Sequence, residues 1–460
     1  MMRRVLLVEP GYKNKYPPLG LMKLSSYHKL MGDEVHFVKG CVASFRETTW
    51  DRIYVSTLFT FFWSATMQTV KYYLRAVRSP ENLIVGGVMA TLLQSDIEKA
   101  TGVRVLPGLL DRPGILDSDS TVVVDGLIPD YQILESIEYE YPVRDAYIAY
   151  ATRGCPNRCG FCAVNKIEPT FRHYCPLPRQ VKGIEDVYGP KQDLILLDNN
   201  VLASRSFKRI IGDIRHLGFE RGATLNGRMR RVDFNQGVDA RKLTDKKMAL
   251  LATTAIRPLR IAFDHISMRD LYVSRVRLAA KHEVLNLSNY VLYNYTDTPS
   301  DFYQRLRINC ELNEELGTQI YSFPMKYIPL TARNRSHVGP NWNRKLIRGV
   351  QCILLATRGM VSPRLEFFEA AFGRTPEEFE TIALMPNEYI IHRRLHENNG
   401  AAEWVDIFHS LTKPQRRVLY DIHADGRVTE AHYKRTTSPR FRRLLEHYIE
   451  ADRIEAARRT

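Results

Sequence analysis

The sequence predicts an α/β chain in three parts: a doubly wound parallel sheet, then a partial (β/α)6 barrel, then a mainly helical C-terminal region. Three observations carry that expectation. Short apolar runs alternate with stretches of helical periodicity, and strands separated by helices pair in parallel. The strand–helix rhythm lengthens after about residue 140, and six such units in series suit a partial barrel. After about Thr331 the strands stop and only helical patterns and loops follow. The expected domains are therefore 1–140, 141–330 and 331–460.

In the first part the expected strands are Val5–Val8, Val35–Val38, Ile53–Thr57, Leu83–Val85, Val103–Leu106 and Thr121–Val124. Helical spacing covers Leu19–Met31, Ser64–Arg78 and Leu92–Ala100, and Gly32-Asp33 turns the chain into the second strand. The barrel strands are expected at Tyr147–Ala151, Asp193–Asp198, Arg231–Gly237, Leu259–Phe263, Val284–Asn294 and Ile320–Ile328. Helices are expected at Ser206–Leu217, Thr244–Thr253, Met268–Lys281 and Pro299–Leu316. Asn343–Thr357 reads as a helix, and the last fifty residues as three short helices broken at 424–426 and 436–439.

At 460 residues, 44% hydrophobic and 25% charged, the chain has the composition of a globular protein with a large core. No targeting segment is expected, because Glu9 and Pro10 interrupt the apolar run that starts at Val5. The uncharged stretch from Ile53 to Val70 carries too many serines and threonines for a lipid-facing span. The chain is thus expected to be soluble. Seven cysteines, three of them within eight residues, point to reduced thiols in a cytoplasmic compartment. A net charge of +15 favours an anionic partner, which leaves nucleic acid, a phosphorylated metabolite and an acidic protein open.

The chemistry concentrates in Arg153-Gly154-Cys155-Pro156-Asn157-Arg158-Cys159-Gly160-Phe161-Cys162, directly after the first barrel strand. Three thiolates spaced four and three residues apart wrap one loop around a cluster and ligate three irons. The fourth iron then lacks a protein ligand and is open to the amino and carboxylate groups of a small molecule. Pro156, Gly154 and Gly160 supply turns and allow close backbone approach. The competing reading is a zinc site with Cys175 or His173 as fourth ligand, although structural zinc usually uses paired C-x2-C knuckles. Cys310 and Cys352, alone on apolar helical stretches, read as core residues.

This C-x3-C-x2-C segment, with an aromatic residue before its last cysteine, resembles the radical S-adenosylmethionine superfamily over residues 145–330. The resemblance implies a 4Fe-4S cluster on Cys155, Cys159 and Cys162, and reductive cleavage of S-adenosyl-L-methionine to a 5′-deoxyadenosyl radical. It also implies an external one-electron reductant such as flavodoxin or ferredoxin. Phe161 would lie near the adenine, and Asp198, Asn199 and Asn200 near the methionine part. Gln236, Asp239 and Arg241 would face the ribose or carboxylate. Asp198 and Asp239 have a simpler reading as helix N-caps. Asp264-His265, closing the fourth barrel strand, is left unassigned.

The front part resembles the N-terminal cobalamin-binding domains carried by many members of that superfamily. Tyr16-Pro17-Pro18-Leu19-Gly20-Leu21 and Gly86-Gly87-Val88-Met89-Ala90-Thr91 are similar to their two ligand-facing loops. The signature D-x-H-x-x-G, whose histidine ligates cobalt, is absent, since His28 and His36 precede glycines without the matching Asp. Some members bind cobalamin without that histidine, and others keep the domain without the cofactor.

In residues 411–455 apolar Val418, Leu419 and Ile422 would form a core and basic Arg440, Arg442 and Arg443 would suit a phosphate backbone, a pattern open to a winged-helix-like module or a helical extension. Three functions follow as expectations. The first is a radical enzyme acting on an unassigned substrate. The second is a cobalamin-dependent radical methyltransferase, and the third a non-enzymatic, zinc-stabilised nucleic-acid-binding protein.

Overall fold

A computed structural model describes residues 2–355 and 357–458. Its packing forms two compact units: Met1–Pro258 with Ile328–His337, and Leu259–Tyr327 with Val338–Thr460.

The first unit opens with five strands: β1 (Arg4–Glu9), β2 (Glu34–Lys39), β3 (Arg52–Thr57), β4 (Leu83–Gly87) and β5 (Arg104–Leu106). All neighbours are parallel and the order is β2-β1-β3-β4-β5, one of the two common doubly wound orders. The order reverses between β1 and β3, so their carboxyl ends flank the crevice where such sheets take ligands. Leu6, Val8, Ile53, Val55, Leu83 and Val85 fill the core beneath helix Trp63–Tyr73. The expected strand at Thr121–Val124 does not form. A short 3-10 turn, Val124–Gly126, stands there, because Asp125 is drawn toward Lys23 and Arg153 while Val124 buries its side chain.

The same unit continues with β6 (Ala146–Ala149), β7 (Asp193–Leu196), the hairpin β8 (Thr224–Leu225) and β9 (Arg228–Met229), and β10 (Val232–Phe234). β10, β7 and β6 form a parallel sheet in that order. Helix Leu177–Tyr188 joins β6 to β7 and was not among the expected helices. Pro176 and Pro178 in its first turn look like breakers, yet proline is tolerated where the backbone N–H has no intrahelical partner. The hairpin was not expected either; it turns on Asn226-Gly227, both at positive φ.

In the second unit β11 (Leu259–Arg260), β12 (Asn286–Tyr293) and β13 (Gln319–Lys326) form another parallel sheet, with helices Arg269–Lys281 and Pro299–Leu316 between them. Thr298 and Asp301 close a reciprocal capping box that fixes the start of the second helix. The helical region follows. Arg344–Leu354 realises most of the expected helix 343–357, of which residue 356 lies outside the described residues. Its core joins Phe302, Tyr303, Leu346, Val350, Phe379, Trp404, Leu419 and Leu444, with Cys310 and Cys352 buried in it.

The tail forms helices Lys413–Asp425, Glu430–Arg435 and Pro439–Ala457. Two expectations for it are corrected. Val418 is 47% exposed, while Leu419 and Ile422 turn inward, since successive helical positions point about 100° apart. No strand follows the last helix among the described residues, so no wing is present there. Arg443 pairs with Glu403 and Glu446, and Arg442 donates to the Thr436 carbonyl. Those two arginines serve the packing of the tail. No helix of the described residues is long and apolar enough to cross a membrane.

Candidate functional site

The three cysteines leave the carboxyl end of β6 on a loop that is irregular yet anchored by buried polar groups. An irregular backbone inside a protein must find partners for its N–H groups, and here side chains provide them. Asp198, fully buried beyond β7, accepts from the backbone N–H of Ala151 (3.0 Å) and from the N–H and hydroxyl of Thr152 (hydroxyl 2.6 Å). Burial pushes its carboxyl up to about 6, against the pull of those donors. Asp198 therefore holds the entry of the loop and caps no helix.

Arg153 is 4% exposed and lies between two carboxylates, Asp125 (3.1 Å) and Glu168 (2.7 Å), with its guanidinium over the Tyr150 ring. Glu168 spends its other oxygen on the Gly154 N–H (2.6 Å) and the Asn199 amide (3.1 Å). Lys23 reaches the same Asp125 from helix Leu19–Leu30, which follows β1. A buried cation with one partner removed is costly, so these groups stand or fall together. Gly154 has φ +71°, and a Cβ there would sit 2.7 Å from the Thr170 carbonyl. Its glycine is thus required by the chain segment 168–170, which corrects the reading that it clears space for a cluster.

Around the thiols the tails of β7 and β10 converge. The Asn157 N–H and the Asn200 amide point at the Cys155 sulfur, at 3.4 and 3.6 Å. Asn157 also donates to Asp239 (2.9 Å), which accepts from the Arg241 backbone and side chain (3.1 and 2.8 Å). Asp239 is thus the N-cap of a 3-10 turn and a neighbour of the cysteine loop at once. Arg241 also bonds Cys159, and its pairing with Asp239 raises its pKa further. Gln236 is exposed and bonds its neighbour Asn235, while Phe161 is half-buried beside Cys162. Asn200, Asp239 and Arg241 thus bond to residues of the cysteine loop, and Asn199 to the Glu168 that anchors it. The sequence reading missed Asn157, Glu168 and Asp125; Asn157 lay inside the motif itself, but nothing local distinguishes the other two.

All seven cysteines are thiols. Among the described residues no three His, Cys, Asp or Glu side chains gather as one ion would need. A four-iron cluster takes one thiolate per iron, so it does not need them gathered. The donor set fits such a cluster: three thiols on one loop and two N–H donors already aimed at a sulfur. Cys175 is set apart: its N–H bonds Ala151, and burial pushes its thiol up to about 11.

At the front sheet, Tyr12 follows β1, and Phe59, Phe61 and Phe62 follow β3, their ring centroids 4.8–6.4 Å apart on the switch-point side, with Phe59 and Phe61 stacked and the other pairs tilted. Phe59 is 54% exposed. With the Arg335 guanidinium over Phe61 at 4.2 Å, this is an aromatic ledge topped by a cation, which fits a large flat ligand bearing polar groups. Neither expected histidine offers a metal ligand there. His28 is buried between Asp33 (2.7 Å) and Tyr54 (3.0 Å), and burial lowers it to about 4. His36 bonds Glu34 and packs on Trp50. Gly87, read as ligand-facing, has φ +102° and a Cβ position 2.4 Å from the Thr57 carbonyl. It is needed for β4 to leave β3. The Tyr16 hydroxyl meets the Asn235 amide beyond β10, joining the front loop to the cysteine sheet.

No protein-family model and no curated protein matches the sequence. Solved structures do match in fold. One is the radical S-adenosylmethionine methyltransferase TsrM from Kitasatospora setae with cobalamin and a [4Fe-4S] cluster bound. It aligns over 99% of this chain and all of its own, at 15% identity and TM-score 0.52. A second structure of TsrM, with tryptophan substrate and the analogue aza-SAM bound, covers 77% of each chain at 15% identity and TM-score 0.51. This chain therefore has their fold, from the doubly wound front sheet to the helical C-terminal region.

Proposed function

We propose that this chain is a cobalamin-dependent radical S-adenosylmethionine methyltransferase. The observation that carries the reading is the fold likeness over 99% of the chain to a protein holding both cofactors, with C-x3-C-x2-C at the end of β6. When bound, the cluster supplies an electron to the S-adenosylmethionine sulfonium, and cobalamin carries a methyl group.

The chain's own residues have distinct parts in this reading. Cys155, Cys159 and Cys162 hold the cluster, and the Asn157 N–H and Asn200 amide stabilise negative charge on the Cys155 sulfur. Asn199, Asn200, Gln236 and Asp239, with Phe161, would contact S-adenosylmethionine beside the iron that lacks a protein ligand. Asp198, Glu168 and Arg153 position the loop and touch no cofactor. The ledge of Phe59, Phe61 and Phe62 takes the corrin face, and the electron comes from flavodoxin or ferredoxin. Reduced thiols suit the cytoplasm.

One observation favours a second reading: His28 and His36 are both engaged within the protein, so neither supports cobalt. In that reading the enzyme releases a 5′-deoxyadenosyl radical that removes hydrogen from its substrate. Anaerobic protein loaded with hydroxocobalamin, desalted and given S-adenosylmethionine and a strong reductant separates the two. A retained corrinoid spectrum supports the methyltransferase. No retained corrinoid, with 5′-deoxyadenosine formed, replaces it by the second reading. The zinc-stabilised nucleic-acid-binding reading loses part of its support, since Arg442 and Arg443 are used inside the tail.

A further inference from the structure

A cavity of about 240 Å³ opens among the C-terminal helices, far along the chain from the cysteine loop. Arg344, Lys345, Arg348, His423, Arg427 and Asp452 line it. Among the described side chains, four basic groups face one carboxylate, and burial raises that carboxyl, which weakens its opposition to an anion. Like charges gathered in a partly closed space repel one another unless an anion joins them.

One buried group shows what the occupant must carry. Lys345 is 8% exposed, and among the described residues its ammonium bonds neutral acceptors, the Ala383 carbonyl (3.0 Å) and the Asn387 amide oxygen (3.3 Å). An ammonium has three N–H bonds, so one remains to be used. Burial lowers this amine to about 7, and a neighbouring anion would draw it up again. His423, 1% exposed, meets the Tyr448 hydroxyl through Nε2 at 3.1 Å and closes one wall. An occupant suited to this lining has negative charge for the arginines and the lysine.

We propose that this cavity binds a phosphate group, as the free ion or as a phosphomonoester. The site is separate from the cluster chemistry, so either proposal can fail alone.

Calorimetric titration of the full chain with inorganic phosphate and glycerol 3-phosphate tests it. Phosphate should bind one per chain. Arg427 is exposed and Arg348 half-buried, so Arg348→Ala with Arg427→Ala spares the apolar core and should weaken phosphate by about tenfold or more. Competition by glycerol 3-phosphate assigns the site to esters, and its absence to the free ion. Absence of phosphate binding, or indifference to the arginine pair, would overturn the proposal. So would arginine-dependent binding of a short DNA duplex where phosphate alone does not bind.

Discussion

The cysteine loop and the C-terminal helical region are both well buried, but different forces hold them. The loop has little secondary structure of its own, and its N–H groups end on Asp198 and Glu168 while Arg153 bridges two carboxylates. The helical region satisfies its own backbone and is held by Phe302, Tyr303, Phe379, Trp404 and Leu444 packed together. A loop that must present three thiols cannot also bury them in an apolar core, so polar side chains shape it instead. The loop should accordingly break on loss of one acceptor or charge, and the helices on loss of volume.

The largest effect is expected at Glu168→Ala. It leaves the buried Arg153 guanidinium half-paired and the Gly154 N–H bare, and should cost about 4 kcal/mol in chemical unfolding. It should also make the segment 153–170 sensitive to protease. If stability falls by only a few tenths, the loop is not held as described. Trp404→Ala, in the helical core, should cost about 3 to 4 kcal/mol by cavity formation and leave iron binding intact. Loss of iron in that variant would break the distinction between the two regions. Asp198→Ala strands two backbone N–H groups and a hydroxyl, and should cost about 2 to 3 kcal/mol.

His28 sharpens the comparison from the front sheet, where a polar residue is buried without shaping a loop. Folding lowers its pKa to about 4, so the neutral ring is the folded form. Its contribution to stability is complete above the ordinary imidazole range near 6.5 and is lost as pH falls toward 4. Unfolding midpoints measured between pH 7 and pH 4.5 should fall for the parent chain by an amount worth about 2 kcal/mol, and by less in His28→Gln. Equal slopes would remove His28 from the account. Val418→Ala, at an exposed helical position, should stay within about 0.5 kcal/mol of the parent.

The same contrast explains what could be read in the sequence. Strands β1 to β4 were legible because each buries a run such as Val5–Val8 or Ile53–Val55, and helix Pro299–Leu316 because Thr298 and Asp301 announce its start. The cysteine spacing was legible because it is local. Glu168 and Asp125 were not, since each meets Arg153 across 15 and 28 residues and no periodicity records such a pairing. Thr121–Val124 misled because a run of valines reads as a strand, yet Val123 is 36% exposed and only Val124 is buried. Asn226-Gly227 was a readable hairpin signal that helical and strand periodicity passed over. The tail was half legible: its three helices and their breaks came from Gly426 and Pro439, whereas the partners of Arg442 and Arg443 depend on helix packing.

The central claim is that Cys155, Cys159 and Cys162 hold an iron–sulfur cluster. Metal and sulfide analysis of anaerobically prepared chain, beside its Cys159→Ala variant, tests it most directly. The account predicts about four irons and four sulfides per parent chain, and loss of both in the variant with the fold retained. Stoichiometric zinc without iron or sulfide in the parent chain would contradict it.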